Sequence, residues 1–525
     1  MNKIAKYLFP ISLITLLALS CTNLDIKPAS SVNNEVVFDD PGSYKAFLAR
    51  VYSGISVTGQ VGPDGDGDIK GINEGFSNYL RQYWQLQTLT TDEAIIAWND
   101  GTIYELHNQD WSASNEFITA AYNRIFVQVA MANEFLRETT DSKLNDRGVE
   151  GTLYEDIQGY RAEARFLRAL SYWHGIDLFG NIPFVTEEDQ IGIEPPQQAT
   201  RAEVFNFIES ELKDIENLLP APKANEYGRA DQAAAWTLLA KLYLNAEVYI
   251  GQPKYAECRT YCEKVIASNA YSLSPVYRQL FMADNNTSPE IIFPITFDGV
   301  HTKSWGGTTY LVNAAIGGSM DRTVYGVSEA WAGLRTTSAL VGRFPDETGD
   351  IDSRALFYTD GQTKEIDAVG TFTNGYALPK YSNIRSDSLP ASHTVHPDTD
   401  YPMFRLPDVY LMYAECVLRN GGGDKGLAVG YVNQIRERAS GNTDGNIVAD
   451  DLTLPFVLDE RSRELYWEGM RRTDLIRFGQ FSDNTVWPWK GGVKEGATTE
   501  AFRDLFPIPA SDLLANPNLD QNEGY

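Results

Sequence analysis

Arg161-Ala162-Glu163-Ala164-Arg165-Phe166-Leu167-Arg168-Ala169-Leu170 runs on through Trp173 and Ile176 and breaks off at Gly180-Asn181-Ile182-Pro183. Ala162, Phe166, Ala169, Trp173 and Ile176 are separated by steps of four and three, so a helix places all five on one face. Gly180 is expected to cap that helix in the left-handed conformation, and Pro183 to block its continuation. Trp173 on such a face reads as core.

The same periodicity recurs further along. Trp236, Leu239, Ala240 and Tyr243 have the spacing of the first helix of a tetratricopeptide unit, with Ala240 at the small position and Trp236 in the core. Gly251-Gln252-Pro253 forms the turn, and Tyr255, Ala256, Cys262, Val265 and Ile266 mark the second helix. Asp408 to Ala439 repeats the plan around Gly421-Gly422-Gly423. Small residues at fixed steps let paired helices approach closely, so such units stack into one scaffold. The fold class is therefore all-α: tetratricopeptide-like helical hairpins forming a scaffold, with long loop-rich excursions carrying the ligand site. Those excursions are Gly59 to Gly75, Thr302 to Tyr325 and Gly361 to Pro402, and loops of such length in a compact protein are commonly functional.

The chain has 525 residues, of which 43% are hydrophobic and 12% aromatic, which supports a large buried core. Its net charge of −27 repels phosphate backbones, and no Lys/Arg run offsets it, which disfavours nucleic acid as a partner. Lys3 and Lys6 precede an apolar run, Leu8 to Leu19, that is too short to span a bilayer. Residues 1–20 read as a signal peptide ending at a lipobox-like Ala18-Leu19-Ser20-Cys21. Cys21 would then be the lipid-attachment residue, and 21–31 a lipidated tether. Loss of the two lysines moves the charge from −27 to −29. Of the other cysteines, Cys258 and Cys262 stand one helical turn apart, a poor geometry for a disulfide, and with Cys416 they read as small buried apolar residues.

Chemistry-bearing motifs are sparse. His393-Thr394-Val395-His396 with Asp398 and Asp400 lacks the helical spacing of a zinc site. Asp64-Gly65-Asp66-Gly67-Asp68 has Ile69 where a calcium loop needs glycine and Gly75 where it needs a bidentate glutamate, so it reads as a solvated acidic turn. No nucleophile elbow, P-loop or dinucleotide fingerprint is present. Asp459-Glu460-Arg461 through Glu464, Glu468, Arg471, Arg472 and Asp474 alternates in sign at helical spacing, as salt-bridged helix faces do. The residues call for no metal and no cofactor. What stands out is loop-associated aromatic and planar polar side chains, which suit the apolar face and hydroxyl rim of a pyranose ring.

Motifs spread over nearly the whole mature chain resemble the SusD/RagB family of nutrient-binding lipoproteins of Bacteroidota. They are Cys21-Thr22-Asn23-Leu24-Asp25, the 161–170 helix with Gly180-Asn181-Ile182-Pro183, Gly228-Arg229-Ala230-Asp231, Glu468 to Gly479 and the ending Gln521-Asn522-Glu523-Gly524-Tyr525. The resemblance implies a single SusD-like domain over 32–525, helical over about 32–280 and with the family's C-terminal part over about 281–525. It also implies an outer-membrane, cell-surface, lipid-anchored location and a SusC-like TonB-dependent transporter as partner.

Within that family the chain is similar to a starch-binding member at Thr58-Gly59-Gln60, Arg81, Thr91-Asp92-Glu93 with Ala97-Trp98, and Asp298 through Val312. Carried over by motif, an aromatic arc for α-1,4-glucan would comprise Trp98, Trp305 and Trp331, with Arg81 as hydroxyl donor. The sequence departs from the pattern in three places. Trp305 replaces a tyrosine, Ile96 replaces a further tryptophan, and Gly101 falls where a rim asparagine belongs, leaving Asn99 or Asp100 as substitutes. The shortened Asn285 to Pro289 stretch does not carry over the calcium neighbourhood. Another glucan such as laminarin fits the same residues. Two further classes compete with a glycan binder: a surface glycoside hydrolase and a protein-binding tetratricopeptide adaptor. Val327, Trp331 and Leu334 would equally fit a buried helical stripe.

Overall fold

The computed structural model describes residue 38 and residues 40–63, 65–189, 192 and 194–525; the leader, Cys21 and the tether lie outside the described residues. The chain divides into two compact units, residues 1–46 and 47–525. In the first, the Asp40 carboxylate accepts from Gly42 N at 2.9 Å and so caps the start of α1 (Gly42–Ser56), and Phe38 packs on Tyr44.

The second unit is built on long helices. After the short α2 (Tyr79–Trp84) come α3 (Glu116–Glu138), α4 (Gly151–Phe179) and α5 (Arg201–Ile215). Next follow α6 (Gln232–Leu244), α7 (Tyr255–Ala267) and α8 (Gly307–Ala314). The C-terminal part holds α9 (Leu406–Leu418), α10 (Lys425–Ser440), α11 (Leu454–Leu465) and α12 (Arg471–Arg477). Packing proceeds α3 on α4, α4 on α5, α6 on α7, α7 on α9 and α9 on α10, which is the stacked-hairpin scaffold expected. Starts are set by side-chain caps: Asn115 for α3, Thr200 with Glu203 as a capping box for α5, Asp231 for α6 and Asp424 for α10.

The decisive helix α4 ends as read, with Ala162, Phe166, Ala169, Trp173 and Ile176 all buried. Gly180 has φ 73° but ψ −107°, a glycine-favoured region outside the left-handed helical one, so the chain turns off more sharply than an ordinary cap allows. The hairpin turns hold: Gly251 is left-handed, and a Cβ at Gly421 would stand 2.7 Å from the Tyr255 carbonyl, so only glycine lets the second hairpin seat on α7. Cys258, Cys262 and Cys416 are buried free thiols. One core assignment is corrected: Trp236 is half-buried, because its Nε1–H reaches outward to Glu216 at 2.9 Å. Ala256 lies on the outer face of α7, whose inner face carries Cys258 and Tyr261.

Strands are few among the described residues. β1 (Ile95–Ile96) pairs antiparallel with β3 (Leu334–Arg335), and β2 (Ile291–Ile295) with β4 (Tyr401–Arg405). No described helix is long and apolar enough to cross a membrane.

The sign-alternating stretch is salt-bridged, but it is no solvated face. Glu460, Glu464 and Glu468 are wholly buried and reach across the fold. Glu468 binds Arg405 at 2.6 Å and Lys380 at 2.7 Å, Glu464 binds Arg354 at 3.1 Å as well as Arg405 and Arg438, and Glu290 closes on Arg405 at 2.8 Å. Arg471 makes a bidentate pair with Asp92, both bonds 2.8 Å. Burial lowers the Lys380 ammonium to about 8, partly offset by Glu468.

Candidate glycan-binding pocket

The geometry of the pocket starts from Asn78, the N-cap of α2. Its Oδ1 accepts from Arg81 N at 2.9 Å and Gly307 N at 3.0 Å, and its Nδ2 donates to Ser304 Oγ at 3.1 Å. One side chain thereby ties α2 to the loop that carries Trp305. A Cβ at Gly306 would lie 2.1 Å from Asn78 Cβ, so the approach requires glycine there.

Arg81 is 3% exposed and reaches the pocket wall. Its Nη1 donates to the carbonyls of Gly75 at 3.0 Å and Trp305 at 3.2 Å, and its guanidinium lies 4.3 Å from the Tyr310 ring centroid and 4.7 Å from that of Phe76. Burial lowers it to about 10, with Tyr310 and Asp100 opposing, so it stays charged at neutral pH.

The β1–β3 ladder brings the other aromatic residues in. Ile96 pairs with Leu334, Ala97 N donates to Gly333 O at 2.8 Å, and Trp98 Nε1 donates to Trp331 O at 2.9 Å. Trp331 lies in irregular chain rather than a helix, with Val327 and Leu334 buried and its own ring half-exposed, which removes the helical-stripe reading. Its Nε1 donates to Glu329 at 2.7 Å. The Trp98 and Trp331 centroids stand 6.3 Å apart at 50°, and those of Trp331 and Trp305 6.0 Å apart at 52°. All three rings, half-buried, line one pocket of about 420 Å³ together with Arg81.

Asn99 and Asp100 are exposed beside this pocket but do not line it, and Ile96 is fully buried in the core. The pocket has a wall that the motif matching missed: Pro63, Asn73, Glu74, Gly75 and Phe76. The only advance signal for it was the length and composition of the Gly59–Gly75 loop. His396 was also missed as a neighbour; it packs 4.9 Å from Trp305, on the side held by the 393–400 loop. Burial, then the nearby His393, lower its pKa.

The other motif candidates are occupied structurally. His393 Nδ1 accepts from Val395 N at 3.0 Å, Asp398 from Gly299 N at 2.9 Å and Asp400 from Phe297 N at 2.8 Å. Asp66 and Asp68 are exposed, as expected of a solvated acidic turn, and Asp68 also pairs with Arg50 at 2.6 Å and Arg124 at 3.3 Å. Asp92 and Glu93, a few residues before Trp98, are buried. Burial raises Glu93 to about 7 against the pull of Arg471.

A family model described as "SusD family" matches residues 346–525, and one described as "Starch-binding associating with outer membrane" matches residues 73–244. The chain is 36% identical to the starch-binding protein SusD of Bacteroides thetaiotaomicron over the full length of both. It is 24% identical to the SusD-like protein P2 of Formosa agariphila, over 99% of this chain and all of the relative. Among solved structures, the surface glycan-binding protein A of Bacteroides thetaiotaomicron in complex with laminarihexaose superposes with a TM-score of 0.69 at 18% identity. That match covers 92% of this chain and 99% of the other, a likeness of fold.

Proposed function

The chain belongs to the SusD family, and from that premise we propose that it is a non-catalytic surface protein that captures α-1,4-glucan and passes it to a SusC-like TonB-dependent transporter. The observation that carries this reading is the run Trp98–Trp331–Trp305, with neighbouring centroids 6.3 and 6.0 Å apart and ring planes turned by 50° and 52°. Successive planes inclined in this way form a curved apolar wall. A glucan that coils presents its sugar faces along a curve, whereas a flat ribbon would meet one ring at a time. Arg81 stands behind the wall as a fixed cation with N–H groups for hydroxyls.

Recognition of this kind needs no acid–base chemistry. Glycoside hydrolysis ordinarily uses two carboxyl groups flanking the bond, and Glu74 is the only carboxylate among the pocket-lining residues described. In this reading residues 1–20 are removed, Cys21 is acylated, and residues 21–31 tether the 32–525 domain to the outer surface of the outer membrane. Tethering beside the transporter compensates for weak individual sugar contacts through effective concentration.

A second ligand reading, another curved glucan such as laminarin, draws on the buried Ile96: without a ring there, the wall is three tryptophans long and less committed to one pitch. Calorimetric titration with maltoheptaose, laminarihexaose and xylohexaose tests both. Binding to maltoheptaose with no response to xylohexaose supports the proposal. Preference for laminarihexaose replaces the ligand, and turnover of any of the three would overturn the non-catalytic role.

A further inference from the structure

A second cavity, of about 280 Å³, opens beside β2 and is separate in its lining from the tryptophan pocket. Its most unusual member is Tyr227. A surface tyrosine ordinarily packs its ring and leaves its hydroxyl in water. Tyr227 does the reverse: its hydroxyl donates inward to Asp400 Oδ2 at 2.6 Å, while the residue is 49% exposed at the cavity. Gly228, at φ 83°, makes the turn that holds it there, and a Cβ at that position would strike Thr296 Cγ2 at 2.6 Å. The hydroxyl bond thus fixes a ring whose face is presented rather than buried.

The remaining walls are amphipathic. Ile291, Ile292 and Pro294 of β2 give an apolar floor, and Asn286 and Thr287 stand exposed at the rim. The charged groups lining it are two of each sign and are engaged locally. Arg229 pairs with Glu163 at 2.5 Å and with Glu226 at 3.3 Å, the Lys223 ammonium donates to the Pro289 carbonyl at 3.0 Å, and Asp231 accepts from the Lys223 backbone N–H at 2.7 Å and from the Tyr271 hydroxyl at 3.1 Å. Such a lining exerts little net pull on an ion. One presented aromatic face, an apolar floor and a rim of amide and hydroxyl groups match the two faces of a single neutral sugar ring. The volume lies just under the ~300 Å³ at which pockets begin to take drug-sized ligands, a size suited to one ring or a chain end.

We propose that this cavity is a second saccharide site, for one neutral hexose unit, with Tyr227 as its stacking platform. The site is independent of the α-glucan reading of the tryptophan pocket. It lies at the other end of the 393–400 loop, whose Asp400 holds Tyr227 and whose His396 packs on Trp305. The one loop thus touches the lining of both cavities. With one aromatic contact, affinity is expected near the millimolar range, ~4 kcal/mol.

The test is ligand-observed saturation-transfer NMR with D-glucose, D-galactose, N-acetylglucosamine and D-glucuronate. It is run on the wild-type chain and on a Trp98→Ala/Trp305→Ala chain that silences the first pocket. The expected result is transfer to at least one neutral sugar in the double variant, with glucuronate weaker. Adding Thr287→Trp, an exposed rim change that fills the cavity without touching the Tyr227–Asp400 bond, should reduce the transfer at least fivefold. Tyr227→Ala should do the same; thermal melts check that each variant is folded. No transfer to any neutral sugar in the double variant, transfer undiminished by Thr287→Trp, or equal transfer to glucuronate overturns the site. Failure of the first pocket would show differently, as maltoheptaose binding that is absent from the wild type or unaffected by the tryptophan changes.

Discussion

The tryptophan pocket and the ionic interior invert the usual placement of side chains. Large aromatic rings ordinarily fill cores and charges ordinarily face water; here Trp98, Trp305 and Trp331 are half-exposed, while Glu464, Glu468, Arg405 and Lys380 are buried completely. The two regions solve different problems. A buried ion pair adds little net stability over an apolar pair of the same shape, but once present it tolerates no loss of a partner. The carboxylates join residues far apart in sequence, as Glu290 to Arg405 and Asp92 to Arg471 do, so they specify which segments meet. The exposed rings, in contrast, are kept from collapsing inward by single hydrogen bonds to their indole nitrogens, Trp98 to Trp331 O and Trp331 to Glu329. Charge fixes the frame, and under the proposed function the aromatic surface is what meets the ligand.

The sharpest break of this contrast is Glu464→Ala. It takes one of the shared carboxylates from Arg354, Arg405 and Arg438 and leaves the buried network one negative charge short, and a loss of about 3–5 kcal/mol in urea unfolding is expected. A loss below ~1 kcal/mol would mean that the interior relaxes or admits water.

Acid probes the same region without mutation. Burial alone would raise Asp408, but Lys241 at 2.5 Å and Arg461 at 2.9 Å outweigh it and hold it at about 2. Because the folded value lies below the unfolded one, its contribution is fully present above pH ~4, near the unfolded value, and is lost as pH falls towards 2. It amounts to roughly 2 kcal/mol at 1.36 kcal/mol per unit. Urea midpoints between pH 6 and pH 2.5 should fall less steeply in Asp408→Asn than in wild type.

Trp305→Ala addresses the other region. Glycan affinity should drop by about 30-fold, ~2 kcal/mol as for a central aromatic contact, with the urea midpoint nearly unchanged; equal losses of both would make Trp305 a core residue. The smallest effect is expected from Glu329→Gln, which weakens the bond orienting Trp331. A three- to sixfold affinity loss, ~1 kcal/mol, would separate orientation of the ring from its presence.

Legibility in the sequence followed the range of the interactions. The helices α4, α6 and α9 and their turns were readable because periodicity and glycine placement are local. Trp98, Trp305, Trp331 and Arg81 were placed by motif, and the structure gathers them at one pocket. Asn99 and Asp100 were misplaced because sequence adjacency to Trp98 says nothing about which way a loop faces. The burial of Glu460 to Glu468 was invisible because their partners, Arg354, Lys380 and Arg405, lie 59 to 110 residues away or across another element. Asn78 carried no signal at all; it works through Gly307, 229 positions on.

The two-residue ladder between β1 and β3 has a consequence for how the molecule comes to life. It joins positions 95–96 to 334–335, and the Trp98–Trp331 bond beside it spans 233 residues. Contacts of such separation are slow to form, because the intervening chain must first be ordered. The tryptophan wall is therefore expected to form late in folding, and under the proposed function competence to bind sugar would report that the whole scaffold has closed.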